Sequence, residues 1–160
     1  MSKYTDLLST EFANKPNGVP NATNCSGFLK AVASKIGTFL PDVRADDIID
    51  YMSRHWTPVS ISTACSYAQL PGRFVVAGLK YNELTVQNDP SRSGHVAILV
   101  AGPLYHGKYP RVWCGGSPPS AKSPGGQSKG NRSVGEVWLR ADRDKVHYFY
   151  DPVCFEQIRY

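Results

Sequence analysis

The sequence predicts an α+β domain in which N-terminal helices pack on a C-terminal antiparallel sheet. Between residues 3 and 70, apolar side chains recur at helical spacing. From residue 73 onward the apolar runs are short, β-branched and aromatic, and residues typical of turns separate them. Helices first and strands second favour two segregated layers over alternating βαβ units. No repeat or linker divides the chain, so residues 1–160 are expected to form one domain.

Four helices are predicted in the first half of the chain. They span residues 3–13, 25–36, 46–55 and 61–70. Asn24 or Thr23 can cap the second helix, and Gly37 can end it. Pro58 and Pro71 end the third and fourth helices, because proline cannot continue a helix. The first half is therefore expected to supply the helical layer.

Five strands are predicted in the second half. They span residues 73–79, 95–101, 109–114, 133–139 and 146–150. Polar loops separate them at residues 80–93 and 115–132, and the second of these is rich in Gly, Ser, Pro and Lys. This composition predicts a mobile loop that would form one wall of a cleft.

The formal net charge of +5 is dispersed along the chain and suits an anionic surface, such as nucleic acid or a cell envelope. The sequence has no aromatic-basic RNA motif, zinc finger or basic helix, which disfavours nucleic acid as the partner. No run approaches the roughly 20 apolar residues that a membrane span needs. Residues 1–6 show no apolar signal region, so export by the standard route is not expected.

The cysteines at positions 25, 65, 114 and 154 include no C-x-x-C pair, so a zinc site has little support and no cofactor is predicted. Four cysteines allow three pairings in principle. If Cys25 is a nucleophile, at most one disulfide remains, and Cys65–Cys154 is the pair to test first.

Cys25 falls in the first turn of the predicted second helix, after Asn24. Unpaired backbone N–H groups and the positive end of the helix dipole favour the thiolate there. The dipole contributes only about 0.3–1 kcal/mol, less than one pKa unit. A second group, usually a histidine, is therefore needed to make Cys25 a nucleophile at neutral pH.

His95 is the candidate partner, because it follows Gly94 and opens an apolar, β-branched run. A histidine at the rim of a sheet can reach the N-terminus of a neighbouring helix. Cysteine on a helix start, followed along the chain by histidine on a strand, is the order of papain-like hydrolases. From residue types alone, Cys25 as inert core and His95 as a structural residue remain open.

Several further motifs accompany Cys25 and His95 in a fixed order. They are Asn24-Cys25-Ser26-Gly27-Phe28, Gly94-His95-Val96-Ala97, Gly102-Pro103-Leu104-Tyr105, Lys108-Tyr109-Pro110, Trp113-Cys114-Gly115, Ser133-Val134-Gly135-x-Val137-Trp138 and Asp142-Arg143-Asp144. Together they closely resemble the peptidoglycan amidase effectors of type VI secretion systems, in their first amidase-effector family. That family is a compact branch of the NlpC-type, papain-like cysteine peptidases, and the likeness covers roughly residues 22–150.

The resemblance implies an antibacterial hydrolase that cuts the γ-D-glutamyl–meso-diaminopimelate bond of peptidoglycan stem peptides. Cys25 would be the nucleophile and His95 the base, and Cys114 matches a position beside the active site in that family. Such effectors are made in the cytoplasm and injected by the type VI apparatus into the periplasm of a Gram-negative rival. The implied partners are stem peptides and a cognate immunity protein, and the implied state is a monomer.

This chain also departs from the family pattern. Residues 1–20 lack the N-terminal cysteine that pairs with the C-terminal region in that family, and the 80–93 loop is longer. Trp113, Trp138 and Tyr105 are expected to pack in the core rather than line a groove.

Two other functions remain open. The same dyad could serve a deamidase or acyltransferase acting on protein glutamine, and a wall-binding module would need no catalysis. Asp142 and Asp144 form a possible carboxylate pair, but a turn with solvated charges explains them more simply.

Overall fold

The structure, a computed structural model, describes residues 3–116 and 127–151. Five α-helices occur in this part of the chain: α1 (Lys3–Ala13), α2 (Cys25–Ile36), α3 (Ala45–His55), α4 (Ile61–Ala68) and α5 (Val134–Val137). Six strands accompany them: β1 (Thr57–Val59), β2 (Val75–Leu79), β3 (His95–Tyr105), β4 (Tyr109–Cys114), β5 (Ser128–Ser133) and β6 (His147–Tyr150). Short 3-10 turns lie at Pro16–Gly18, Asn21–Thr23 and Tyr81–Glu83.

The strands form one sheet in the order β1-β6-β2-β3-β4-β5, and every neighbouring pair is antiparallel. The predicted α+β class with an antiparallel sheet is therefore confirmed. The four predicted helices are present as α1 to α4, and Asn24 is the cap of α2, because its side chain accepts a hydrogen bond from the amide of Gly27 at 3.0 Å. Gly37 ends that helix in the left-handed conformation.

Both faces of the sheet are covered. On one face, α1, α2 and α3 pack against the side chains of Val76, Val96 and Ile98. On the other face, α4 and α5 pack against the side chains of Ala77 and Ala97. Because successive side chains of a strand point to opposite faces, β2 and residues 96–99 of β3 need apolar residues at every position. The completely buried run of β2 meets that need.

One strand prediction was wrong. Residues 133–139 were expected to be a strand, but Val134–Val137 form the short helix α5. The amide of Ser133 donates to the carboxylate of Glu136 at 3.0 Å, which is one half of a capping box. This local helix signal outweighs the β-branched residues of the segment.

Three further boundaries differ from the prediction. β3 continues through Gly102 and Pro103 to Tyr105, since a register shift against β4 accommodates these two residues. Residues 128–132, expected in a loop, belong to β5, and β1 was not predicted. Residues 117–126 of the predicted loop lie outside the described residues.

Within the described ranges, no helix combines the length and apolar character that a membrane crossing requires.

Candidate active site

Cys25 is the first residue of α2, and its side chain is half-buried at one end of the sheet. Burial raises the pKa of its thiol, and the backbone N–H groups of Val96, Ser26 and Cys25 itself, which act on the sulfur, offset part of that rise. Val96 is the second residue of β3, so the helix start and the strand meet at the thiol. The hydrogen bond from Gly27 to Asn24 holds this helix start, and the hydroxyl of Ser26 also donates to the Asn24 side chain at 3.0 Å.

The segment after β4 supports the loop that carries Cys25. The amide of Gly116 donates to the carbonyl oxygen of Ala22 at 2.8 Å. A Cβ atom at position 115 would lie only 2.0 Å from the carbonyl oxygen of Asn21, so Gly115 leaves just enough room for the two backbones. The close approach places the end of β4 directly against the residues that precede Cys25.

His95 opens β3 opposite Leu79 of β2, and its side chain is completely buried. Its ring meets Trp138 edge to face, with 5.2 Å between the ring centroids. Among the described residues, neither ring nitrogen has a hydrogen-bond partner. A buried polar atom without a partner costs about 1–3 kcal/mol of stability. An imidazole with two such atoms therefore calls for an explanation, and a catalytic role is one.

Burial dominates the pKa of both groups. It lowers the pKa of His95 to about 3 and raises the pKa of Cys25 despite the three backbone amides. The negative charge of Asp46 adds to the rise at Cys25. The resting pair at neutral pH is therefore a thiol and a neutral imidazole. The amides at the helix start favour the thiolate, as expected, but they do not suffice alone, because desolvation outweighs them.

Cys114 is the last residue of β4 and is completely buried. Burial raises its pKa to about 12, and the nearby thiol of Cys25 adds to that rise. In the antiparallel register, Trp113 lies opposite Ile98, so the end of β4 adjoins the start of β3. The structure thus brings Cys25, His95 and Cys114 to the same end of the sheet.

The structure also places the other residues that the sequence singled out. Trp113 and Trp138 are buried in the core as expected. Asp142 is also completely buried, which corrects the expectation of a solvated charge, whereas Asp144 is exposed and pairs with Lys108 at 2.9 Å. The thiol of Cys65 donates to the carbonyl oxygen of Lys108 at 3.4 Å. Cys65 is therefore a free thiol, which contradicts the predicted disulfide with Cys154, a residue that itself lies outside the described residues.

A groove of about 720 Å³ lies between α3, β1 and β6, and none of the three candidate residues lines it. Its charged side chains include the ion pair of Lys108 with Asp144 at 2.9 Å. Groups that already neutralise each other offer less to a substrate than an unpaired imidazole. The candidate catalytic residues therefore lie at the end of the sheet and not in this groove.

No group of three or more His, Cys, Asp or Glu side chains that could hold a metal ion occurs within residues 3–116 and 127–151. Sequence reasoning missed Asp46, whose carboxylate accepts hydrogen bonds from the amide preceding His95 and from Tyr81. No sequence signal marked it, because these contacts join residues 35 and 48 positions apart.

Comparison with known proteins adds independent information. No protein-family model matches the chain. Among curated proteins, the peptidoglycan amidase Tse1 of Pseudomonas aeruginosa is 39% identical over 132 residues, which make up 82% of this chain and 77% of that protein. Identity at this level over most of both chains shows common descent and agrees with the family predicted from the ordered motifs. The chain belongs to the family of the peptidoglycan amidase Tse1.

Proposed function

We propose that this protein is a peptidoglycan amidase that uses Cys25 as nucleophile and His95 as general base. The observation that carries the proposal is the junction of α2 and β3. There the sulfur of Cys25 faces the amide of Val96, and the preceding residue, His95, holds a buried imidazole whose nitrogens have no partner among the described residues. An imidazole must be unprotonated to act as a general base, and burial keeps His95 unprotonated at neutral pH.

The reaction begins with the neutral pair. His95 removes the proton of the Cys25 thiol as the sulfur attacks the carbonyl carbon of the stem peptide. Charge therefore forms only when substrate is present, which suits a site where burial disfavours a resting thiolate. The resulting tetrahedral oxyanion forms beside the backbone N–H groups at the start of α2, which stabilise developing negative charge. His95 then protonates the departing amine, and water hydrolyses the thioester.

The bond proposed for cleavage is the γ-D-glutamyl–meso-diaminopimelate bond. This assignment rests on the resemblance of the ordered motifs, and the net charge of +5 suits an anionic cell wall. A protein that cuts the wall acts outside the cytoplasm. We therefore also propose delivery by a type VI apparatus into the periplasm of a target cell, action as a monomer, and a cognate immunity protein in the producer.

Cys114 is the proposed third member of the site. Because burial raises the pKa of Cys114 to about 12, it stays protonated at the pH of the reaction. It can therefore support the site only as a neutral thiol beside Cys25, through contact, and not as a charged group that balances an imidazolium.

The decisive experiment is digestion of purified sacculi, followed by mass spectrometry of the released fragments. The wild-type protein should create new D-glutamate termini. Cys25→Ala and His95→Gln should create none, while the matched variant Cys65→Ala should cleave normally. Cleavage by Cys25→Ala would overturn the mechanism. Loss of ammonia with intact stems would indicate the deamidase, and retention on sacculi without cleavage would indicate the binding module.

A second experiment tests the compartment. The protein should lyse cells when a signal peptide directs it to the periplasm and should be tolerated in the cytoplasm, since the substrate lies outside. Cys25→Ala is the control and should be harmless in both. Equal toxicity in both compartments would contradict the proposal.

A further inference from the structure

Asp46, near the start of α3, joins two segments that are far from it in the sequence. Its Oδ1 atom accepts a hydrogen bond from the amide of Gly94 at 2.8 Å and another from the amide of Tyr81 at 3.0 Å. Tyr81 follows the end of β2, and Gly94 precedes the start of β3. One carboxylate oxygen therefore holds both ends of the loop between β2 and β3.

Gly94 has no space for a side chain at this contact. A Cβ atom there would lie 2.2 Å from the carbonyl oxygen of Leu79 and 2.6 Å from Oδ1 of Asp46. The backbone at Gly94 is thus enclosed between β2 and α3. One helical turn later, Asp50 pairs with Lys80 at 2.8 Å and adds a second attachment of the loop to α3. The residue that follows Gly94 is His95.

We propose that Asp46 is a positioning residue of the amidase site, which holds the chain at Gly94 and thereby sets where His95 stands relative to Cys25. This inference rests on the proposed function of Cys25 and His95. The neutral ring of His95 has no hydrogen bond to other described side chains that would orient it. The position of the ring therefore depends on the backbone of His95 and on its contact with Trp138. Asp46 fixes that backbone by accepting the hydrogen bond from the preceding amide, that of Gly94.

The carboxylate also affects the nucleophile through its charge. Burial raises the pKa of Cys25 most, and the negative charge of Asp46 raises it further. The amides of Val96, Ser26 and Cys25 lower it. The neighbouring titratable side chains are His95, which is neutral, and Cys114, which is protonated. Asp46 thus has two separable effects. Its acceptor oxygen positions the start of β3, and its negative charge raises the pKa of the Cys25 thiol.

Two substitutions separate these effects. Asp46→Asn keeps an acceptor oxygen for both amides and removes the charge, whereas Asp46→Ala removes both. Asp47→Ala, at the exposed neighbouring position, is the matched control for a lost acid at the start of the helix. Three quantities are compared: kcat on stem-peptide fragments, the pH midpoint of Cys25 alkylation by iodoacetamide, and hydrogen exchange of the Gly94 and Tyr81 amides.

Asp46→Ala should lower kcat by about 10- to 100-fold, the scale expected when a catalytic group is misplaced by roughly 1 Å. The Gly94 and Tyr81 amides should then exchange faster. Asp46→Asn should restore kcat to within about threefold of wild type, keep both amides protected, and move the alkylation midpoint to lower pH. Asp47→Ala should match wild type in all three.

The inference is overturned if Asp46→Ala keeps wild-type kcat, or if Asp46→Asn is as slow as Asp46→Ala while both amides stay protected. Failure of the proposed function itself has a different signature. In that case the wild-type protein leaves stem peptides intact, while the exchange and alkylation measurements still report whether Asp46 holds Gly94 and acts on Cys25.

Discussion

The backbone amide of Val96 lies against the sulfur of Cys25, and this contact joins the start of α2 to the start of β3. The side chain of Val96 packs with the helices on one face of the sheet. His95, one residue earlier, turns its ring to Trp138, which belongs to the core on the other face. At Val96 the strand places a backbone amide against the thiol, and at the adjacent position, His95, it supplies an imidazole.

The first prediction concerns the ionisation of Cys25. Because burial raises its pKa above the ordinary value of 9.0, alkylation of Cys25 by iodoacetamide should be slow at pH 7 and should reach half its maximal rate above pH 9. Mass spectrometry of the peptide that contains Cys25 gives the rate at each pH. The same peptide in the urea-unfolded protein is the control and should react with a lower midpoint. A midpoint below pH 7 in the folded protein would instead indicate a preformed thiolate–imidazolium pair.

The second prediction concerns stability in acid. The pKa of His95 falls from 6.5 to about 3 on folding, so below pH 6.5 the unfolded chain binds a proton that the folded chain does not. The free energy of unfolding should therefore decrease as the pH falls from 6.5 toward 3, and His95 should contribute up to about 1.4 kcal/mol per pH unit.

Urea unfolding between pH 5 and 6.5 measures this slope in a range where most carboxylates remain ionised. His95→Asn should flatten it. His55→Asn, which removes an exposed histidine that contacts Tyr51, should keep it. Equal slopes in wild type and His95→Asn would show that the imidazole is not buried in its neutral form.

The helical half of the fold was predictable because its signals are local. The cap at Asn24, the left-handed Gly37 and the apolar periodicity of α2 lie within 14 consecutive residues. The strands that were missed have no such signal. β5 is polar throughout and is a strand because it pairs with β4, and β1 consists of three residues paired with β6 about 90 positions later.

The candidate site likewise has a part that the sequence predicts and a part that it does not. Residue type and chain order were enough to select Cys25 and His95 as candidates. The support from Gly115 and Asp46 depends on contacts between distant segments, which periodicity does not reveal. The direction of the Cys25 pKa shift was also out of reach, because burial is a property of the assembled fold and here outweighs the helix dipole.

The third prediction concerns Gly115, whose backbone packs against the loop before Cys25. The added methyl group of Gly115→Ala would lie 2.0 Å from the carbonyl oxygen of Asn21, and a backbone atom cannot rotate away. Overpacking of this kind costs about 1–3 kcal/mol of stability. The displaced loop should also lower kcat on stem peptides at least about tenfold.

The control for this prediction is Gly18→Ala. Gly18 has a φ of 78° and no atom within 4 Å of the position of an added Cβ, so alanine there adds backbone strain alone, about 1–2 kcal/mol. Its kcat should equal that of wild type once both proteins are folded. Full activity of Gly115→Ala would show that the end of β4 does not position the loop.

The fourth prediction separates the two carboxylates of the turn before β6. Asp142 is buried and accepts hydrogen bonds from the amide and hydroxyl of Thr85, at 3.0 and 2.6 Å, and from Lys145 at 2.9 Å. Burial raises its pKa, but Thr85 and Lys145 lower it by more, so the net shift is downward. The stability that the ionised carboxylate supplies is therefore present above its unfolded pKa of 3.8 and is lost as the pH falls through the folded value.

Asp142→Ala should lower the free energy of unfolding at pH 7 by about 1.5–3 kcal/mol, because the hydrogen bonds from Thr85 and Lys145 to a charged carboxylate are lost. Asp144→Ala, at an exposed position, should change it much less. Neither carboxylate is among the groups that act on the thiol of Cys25, so both variants should retain wild-type kcat on stem peptides when folded. Urea unfolding and the sacculus digest measure the two effects separately. Loss of cleavage in a stably folded Asp142→Ala would instead place this carboxylate in the reaction.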